Sequence, residues 1–146
     1  MIARRPLLAA GALGAAVAWC RPAQATPESM QAAIAAFTGG APVRDGRVRL
    51  DLSPLVENGN TVPVTVSVPG ADGSTVRRLA LFTERNPQPE VAVFHLSALS
   101  GQARVATRMR LATSQTVWAL ARYSDGSWWQ QGADVVVTLA ACVEGA

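Results

Sequence analysis

Three side chains can act as soft nucleophiles or metal ligands: Cys20, Cys142 and His95, the single histidine. A thiolate can attack a sulfur centre and hold the product covalently, and an imidazole can move protons near neutral pH. One His and one distant Cys are too few ligands for zinc and, without a spatial link, make no nucleophile–base pair. Cys142 has the more telling position, because only Val143-Glu144-Gly145-Ala146 follow it. A tail of small residues running from Ala140 is expected to be mobile. Extended at roughly 3.3 Å per residue, it would carry the sulfur about 10 Å past the last strand. A strand that continued would instead bury the same thiol as a small hydrophobe, and position alone leaves both open. His95 shares strand parity with Val91 and Val93, which reads as a partly buried strand histidine. Glu57 stands before Asn58-Gly59, where a turn suffices to explain it. The chain has no phosphate-cradling Gly loop and no GxSxG elbow. No catalytic residue, metal site or cofactor is therefore expected.

Which cysteine counts depends on the leader. Arg4-Arg5 is followed by an uncharged run from Leu7 to Trp19 and then by Ala23-Gln24-Ala25. A basic head, a short apolar run and small residues at the cleavage positions describe a secretory signal peptide over 1–25. The run is too short to span a bilayer. The paired arginines point to twin-arginine export over an ordinary Sec signal. Cleavage after Ala25 removes Cys20 and leaves Cys142 as the sole thiol of a periplasmic protein, with no membrane attachment.

The elements that must position these groups follow from periodicity. Thr26-Pro27-Glu28 is a helix start, with a hydroxyl cap, Pro in the first turn and an early acid. Met30, Ile34 and Phe37 then form one apolar stripe that ends at Gly39-Gly40. The stripe is expected to cover an open edge or end of the main fold. After residue 45 the period changes to two. Val48 to Leu52 and Val62 to Val68 alternate; Thr75 to Phe82, Glu90 to Leu96, Arg104 to Leu111, Thr116 to Tyr123 and Ala133 to Leu139 are further strands. Pro63 places its strand at an edge or a bulge. Trp128-Trp129 reads as a short strand with one ring in the core and one covering an edge or a partner. Asp72-Gly73 and Asp125-Gly126 read as hairpin-type turns, and Asn86 to Pro89 as a rigid corner. Seven short strands with regular turns and one helix predict an all-β, immunoglobulin-like β-sandwich with a short amino-terminal helix after the signal peptide.

Charge excludes one class of partner. All basic residues are arginines, and residues 26–146 carry ten of them against ten acids, so the excess of +3 lies in the leader. A neutral body without basic clusters argues against nucleic-acid binding.

Three stretches resemble one family. Val48 to Val64, containing Glu57-Asn58-Gly59-Asn60-Thr61-Val62-Pro63, is similar to the first block of SoxY, the sulfur-carrier subunit of the Sox thiosulfate-oxidation system. Asn86-Pro87-Gln88-Pro89-Glu90-Val91-Ala92-Val93-Phe94-His95-Leu96 resembles the second block. Thr107 to Ala112, with Gln115, Val117 and Ala119, resembles the third. The resemblance implies an immunoglobulin-like fold over 26–139 and a carboxy-terminal carrier arm over 140–146. It implies a heterodimer with SoxZ, a second small β-protein, and service to the Sox enzymes of the thiosulfate-oxidation cycle. It further implies that the subunit is not itself an enzyme and that Cys142 joins covalently to the sulfur substrate. The family's arm reads GGCGG; here Ala140-Ala141-Cys142-Val143-Glu144 stands in its place, with none of the four glycines. That departure supplies the alternative: a binding or scaffold module that has lost standard carriage, such as the SoxYZ-like carriers associated with quinoprotein alcohol dehydrogenases.

Overall fold

The structure, a computed structural model, describes residues 24–141. Most of the signal-peptide expectation and the whole of the Cys142 expectation therefore lie outside the described residues.

Helix α1 spans Pro27–Thr38. Its start is a reciprocal cap: the Thr26 hydroxyl accepts from the Ser29 N–H, and the Ser29 hydroxyl accepts from the Thr26 N–H. Gly39, at φ 66, ends the helix in the left-handed region that glycine adopts without strain. Met30 and Ile34 are buried against Ala80, Phe82, Leu120 and Trp128. The stripe thus covers a sheet face, not an edge or end as expected. The outward side chains of two central strands are apolar, and a helix is what removes them from water.

Among the described residues nine strands follow: β1 Val43–Asp45, β2 Arg49–Asp51, β3 Leu55–Asn58, β4 Val62–Ser67, β5 Val76–Thr83, β6 Glu90–His95, β7 Arg104–Met109, β8 Gln115–Tyr123 and β9 Trp128–Leu139. The larger sheet has the order β1-β9-β8-β5-β6, with β3 also pairing with β9; the smaller is β2-β4-β7. The expected all-β sandwich is present. Its core lies between the sheets, where Val62, Val64 and Val66 of β4 meet Leu79, Leu81, Val117 and Ala119.

Several local expectations change. The Asp72-Gly73 turn joins β4 to β5, which belong to different sheets, so it is a crossover and not a hairpin. Its Asp72 carboxylate accepts from the Ser74 hydroxyl and from the amides of Ser74 and Thr75, which holds its pKa below the ordinary 3.8. Asp125-Gly126 does close a hairpin, between β8 and β9, with Gly126 at φ 87. β4 is the middle strand of its sheet, and Pro63 is tolerated because β2 pairs only with residues 65–67. Trp128-Trp129 begins the long β9 instead of forming a strand of its own. His95 is exposed at the end of β6, not partly buried, because an irregularity in the β5–β6 register resets the alternation.

The path of β1, β2 and β3 organises the rest. β1 pairs in parallel with the start of β9, the chain crosses to the smaller sheet as β2, and β3 returns to pair in parallel with the end of β9. Gly46 (φ 104) and Arg47 (φ 59) make the first crossing. Arg47 occupies a conformation unusual for a side-chain-bearing residue, and its guanidinium lies 4.4 Å from the Trp129 ring centre and 5.8 Å from that of Tyr123. Trp128 is buried while Trp129 covers this edge under Arg47, which matches the division expected for the two rings.

Candidate functional site

The place where the chain leaves β9 is where a carboxy-terminal carrier residue would be anchored. Leu139 ends β9, and its carbonyl accepts from the Gly59 N–H at 2.8 Å. The Gly59 carbonyl in turn accepts from the Leu111 N–H at 2.8 Å, and the Leu111 carbonyl accepts from the Ala141 N–H at 3.1 Å. Three main-chain bonds thus link three segments far apart in sequence. Gly59 fits because it has no side chain: a Cβ there would stand 2.9 Å from the Ala141 nitrogen and 3.1 Å from the Leu139 oxygen, with the Leu111 oxygen closer still. Ala141 is 7% exposed. The expectation that the tail becomes mobile from Ala140 therefore fails at Ala141, whose backbone is paired and whose side chain is covered.

A polar brace supports this exit. The Asn86 amide donates to the Arg110 carbonyl at 2.8 Å, and its oxygen accepts from the Ala112 N–H at 3.0 Å and from the Gln115 side chain at 2.9 Å. Gln115 is buried and accepts from the Arg85 N–H at 2.8 Å. Two amide side chains so satisfy the backbone of the turn between β7 and β8. The Ser114 hydroxyl accepts from the Val137 N–H at 2.9 Å, and the Thr138 hydroxyl donates to the Glu57 carbonyl at 3.1 Å. The three sequence blocks that stood out separately converge here through Gly59, Asn86 and Leu111.

The other residues considered from sequence stand elsewhere or do less. Glu57 lies on β3 beside this exit, exposed, and contributes its main chain. His95 ends β6 while the Asn86 corner precedes its start, so roughly 16 Å of strand separates them. Among the described residues no group of three or more His, Cys, Asp or Glu is placed to hold a metal ion. Sequence reasoning missed the roles of Gly59, Leu111 and Asn86. Their presence in the family-like blocks was a signal, but nothing local indicated that they meet.

Around the exit exposed apolar side chains stand beside exposed Glu57 and Asn58. Leu55 (57% exposed) and Val136 (55% exposed) are register partners across β3 and β9, and Leu139 is 61% exposed. Among the described residues β6 and β7 each pair with one neighbour and leave an edge.

Residues 34–142 match the SoxY family, described as sulfur oxidation protein SoxY. The match runs through all three blocks and ends on Cys142. Among solved structures, the sulfur carrier protein SoxY from Chlorobium limicola f thiosulfatophilum is 27% identical, covers 77% of this chain and 98% of its own, and superposes with a TM-score of 0.64. A superoxide reductase (neelaredoxin) from Ignicoccus hospitalis is 16% identical, with 77% and 92% coverage and a TM-score of 0.55. A superoxide reductase from Nanoarchaeum equitans is 9% identical, with 64% and 100% coverage and a TM-score of 0.54. The two reductases share the fold alone. No curated protein matches the sequence.

Proposed function

Because this chain belongs to the SoxY family, we propose that it is a periplasmic sulfur carrier that binds sulfur intermediates covalently on Cys142. The supporting observation is the convergence of the family's three blocks on the exit of β9, one residue before that cysteine. Joining the Cys142 thiolate to a thiosulfate sulfur forms an S–S bond and releases two electrons, so an electron-accepting Sox enzyme is required. The chain holds the adduct, and partner enzymes oxidise or hydrolyse it. The leader 1–25 directs export, and the mature chain then carries one thiol.

Intact-mass measurement tests this. The mature protein, incubated with thiosulfate and the oxidising partner enzymes, is expected to gain one Cys142-linked adduct that Cys142→Ser abolishes. A chain that stays at its starting mass beside a working control carrier overturns the reading. The changed arm, Ala140-Ala141-Cys142-Val143-Glu144, favours a second reading: a scaffold that keeps the partner surface without carriage. That reading is carried if cells whose only Y-type subunit is Cys142→Ser oxidise sulfur normally.

The proposed partner is a SoxZ-like β-protein in a one-to-one complex. The open edges of β6 and β7 and the exposed Leu55, Val136 and Leu139 supply surface that such a partner would cover. Co-expressed chains are expected to elute together at micromolar concentration. Elution as two separate monomers counts against the partnership.

A further inference from the structure

We infer that Gly59 is a positioning residue for the carrier thiol: its main chain clasps the end of β9 and fixes the point from which Cys142 departs. The inference rests on the proposal that Cys142 is the carrier and adds to it a group that never touches the cargo. Gly59 holds Leu139 through its N–H and Leu111 through its carbonyl, and Leu111 holds Ala141. Covalent geometry keeps the Cα of the next residue within about 3.8 Å of that of Ala141. The point from which the chain continues to the thiol is thus set by the sandwich. Glycine is required at 59 because a methyl group would point at the Leu111 carbonyl, the Ala141 amide and the Leu139 carbonyl together, all of them main-chain atoms. Leu139 exposes its side chain, so the backbone bonds, not side-chain burial, hold that residue. The clasp also places Ala141 in the fixed part of the chain, and Cys142 is the next residue in sequence.

Two substitutions open the clasp from opposite sides. Gly59→Ala pushes the β9 end away, and Ala141→Pro removes the donor to Leu111. In the mature protein with its partner chain, each is expected to lower enzyme-dependent loading of Cys142 by about tenfold or more, as misplacement of a reacting group does. Iodoacetamide alkylation of the same thiol is expected to stay at least as fast as in the wild type. A merely structural role would not separate these two rates. Gly59→Ala can unfold the chain; Ala141→Pro lies outside every strand and keeps the test open at an unchanged melting temperature. Amide hydrogen exchange gives a readout without cargo: protection at Ala141 is expected in the wild type and lost in Gly59→Ala, and protection at Gly59 is expected to fall in Ala141→Pro. Normal enzyme-dependent loading of folded Ala141→Pro overturns the inference. If the wild type is never loaded, carriage fails, and exchange alone decides the clasp: an unprotected Ala141 amide in the wild type overturns it.

Discussion

Replacing Phe82 by alanine is expected to destabilise the domain by about 3–5 kcal/mol, the range for removing a fully buried aromatic ring. Phe82 is 0% exposed on β5 and meets the Phe37 ring edge-on at 5.4 Å between centres. Phe37 in turn packs edge-on against Trp128 at 5.2 Å. Phe82 therefore sits under α1 and joins the helix to the larger sheet, with Met30 and Ile34 beside it. Its loss opens a cavity that the rigid sheet cannot collapse into. A chain of this size would lose more than about 10 °C of melting temperature. Calorimetry of Phe82→Ala checks this, and a loss below about 1 kcal/mol would mean that α1 contributes little packing to the fold.

The second large effect is expected at Asn86. Asn86→Ala deletes one donor and one acceptor that serve the Arg110 carbonyl, the Ala112 amide and the Gln115 side chain. Each buried polar group left without its partner costs about 1–3 kcal/mol. The Arg110 carbonyl is exposed and the Ala112 amide half-buried, so water replaces part of both bonds, and Gln115 keeps its bonds to Arg85 and Thr113; the total is set near about 1–2 kcal/mol. Denaturant unfolding of Asn86→Ala measures it. A cost under about 0.5 kcal/mol, the range of an ordinary surface change, would show that the turn between β7 and β8 holds itself without the amide brace.

Much of this fold was legible because its signals are local. The Thr26 cap, the Met30–Ile34–Phe37 stripe and Gly39 lie within one short stretch, and the helix they predict is the one observed. The alternating valines of β4 mark their own strand in the same way. β1 and β3 were not legible. Val43–Asp45 and Leu55–Asn58 are too short to show a period, and their pairing comes from β9, far away in sequence. The exit site failed for the same reason. Gly59 reads as a turn glycine until Leu111 and Ala141 are placed beside it, and Ala141 reads as tail until its amide finds a carbonyl on another segment. Side-chain chemistry pointed to Cys142, whereas main-chain hydrogen bonding from distant segments holds Ala141, the residue before it.

The double use of β9 has a consequence for the order of events in time. β1 and β3, made early, each pair with a strand made last. Closing such long loops costs chain entropy before any contact offsets it, so this topology folds slowly for its size. Until residues 128–141 emerge, β8 has an open edge and β1 and β3 have no neighbour in their sheet, a state exposed to wrong pairing. The docking of β9 removes all three hazards together. The Ala141–Leu111 bond can form only after that docking, so a chain whose Ala141 is held has already closed its sandwich. Completion of folding and fixing of the chain at Ala141 are then a single event.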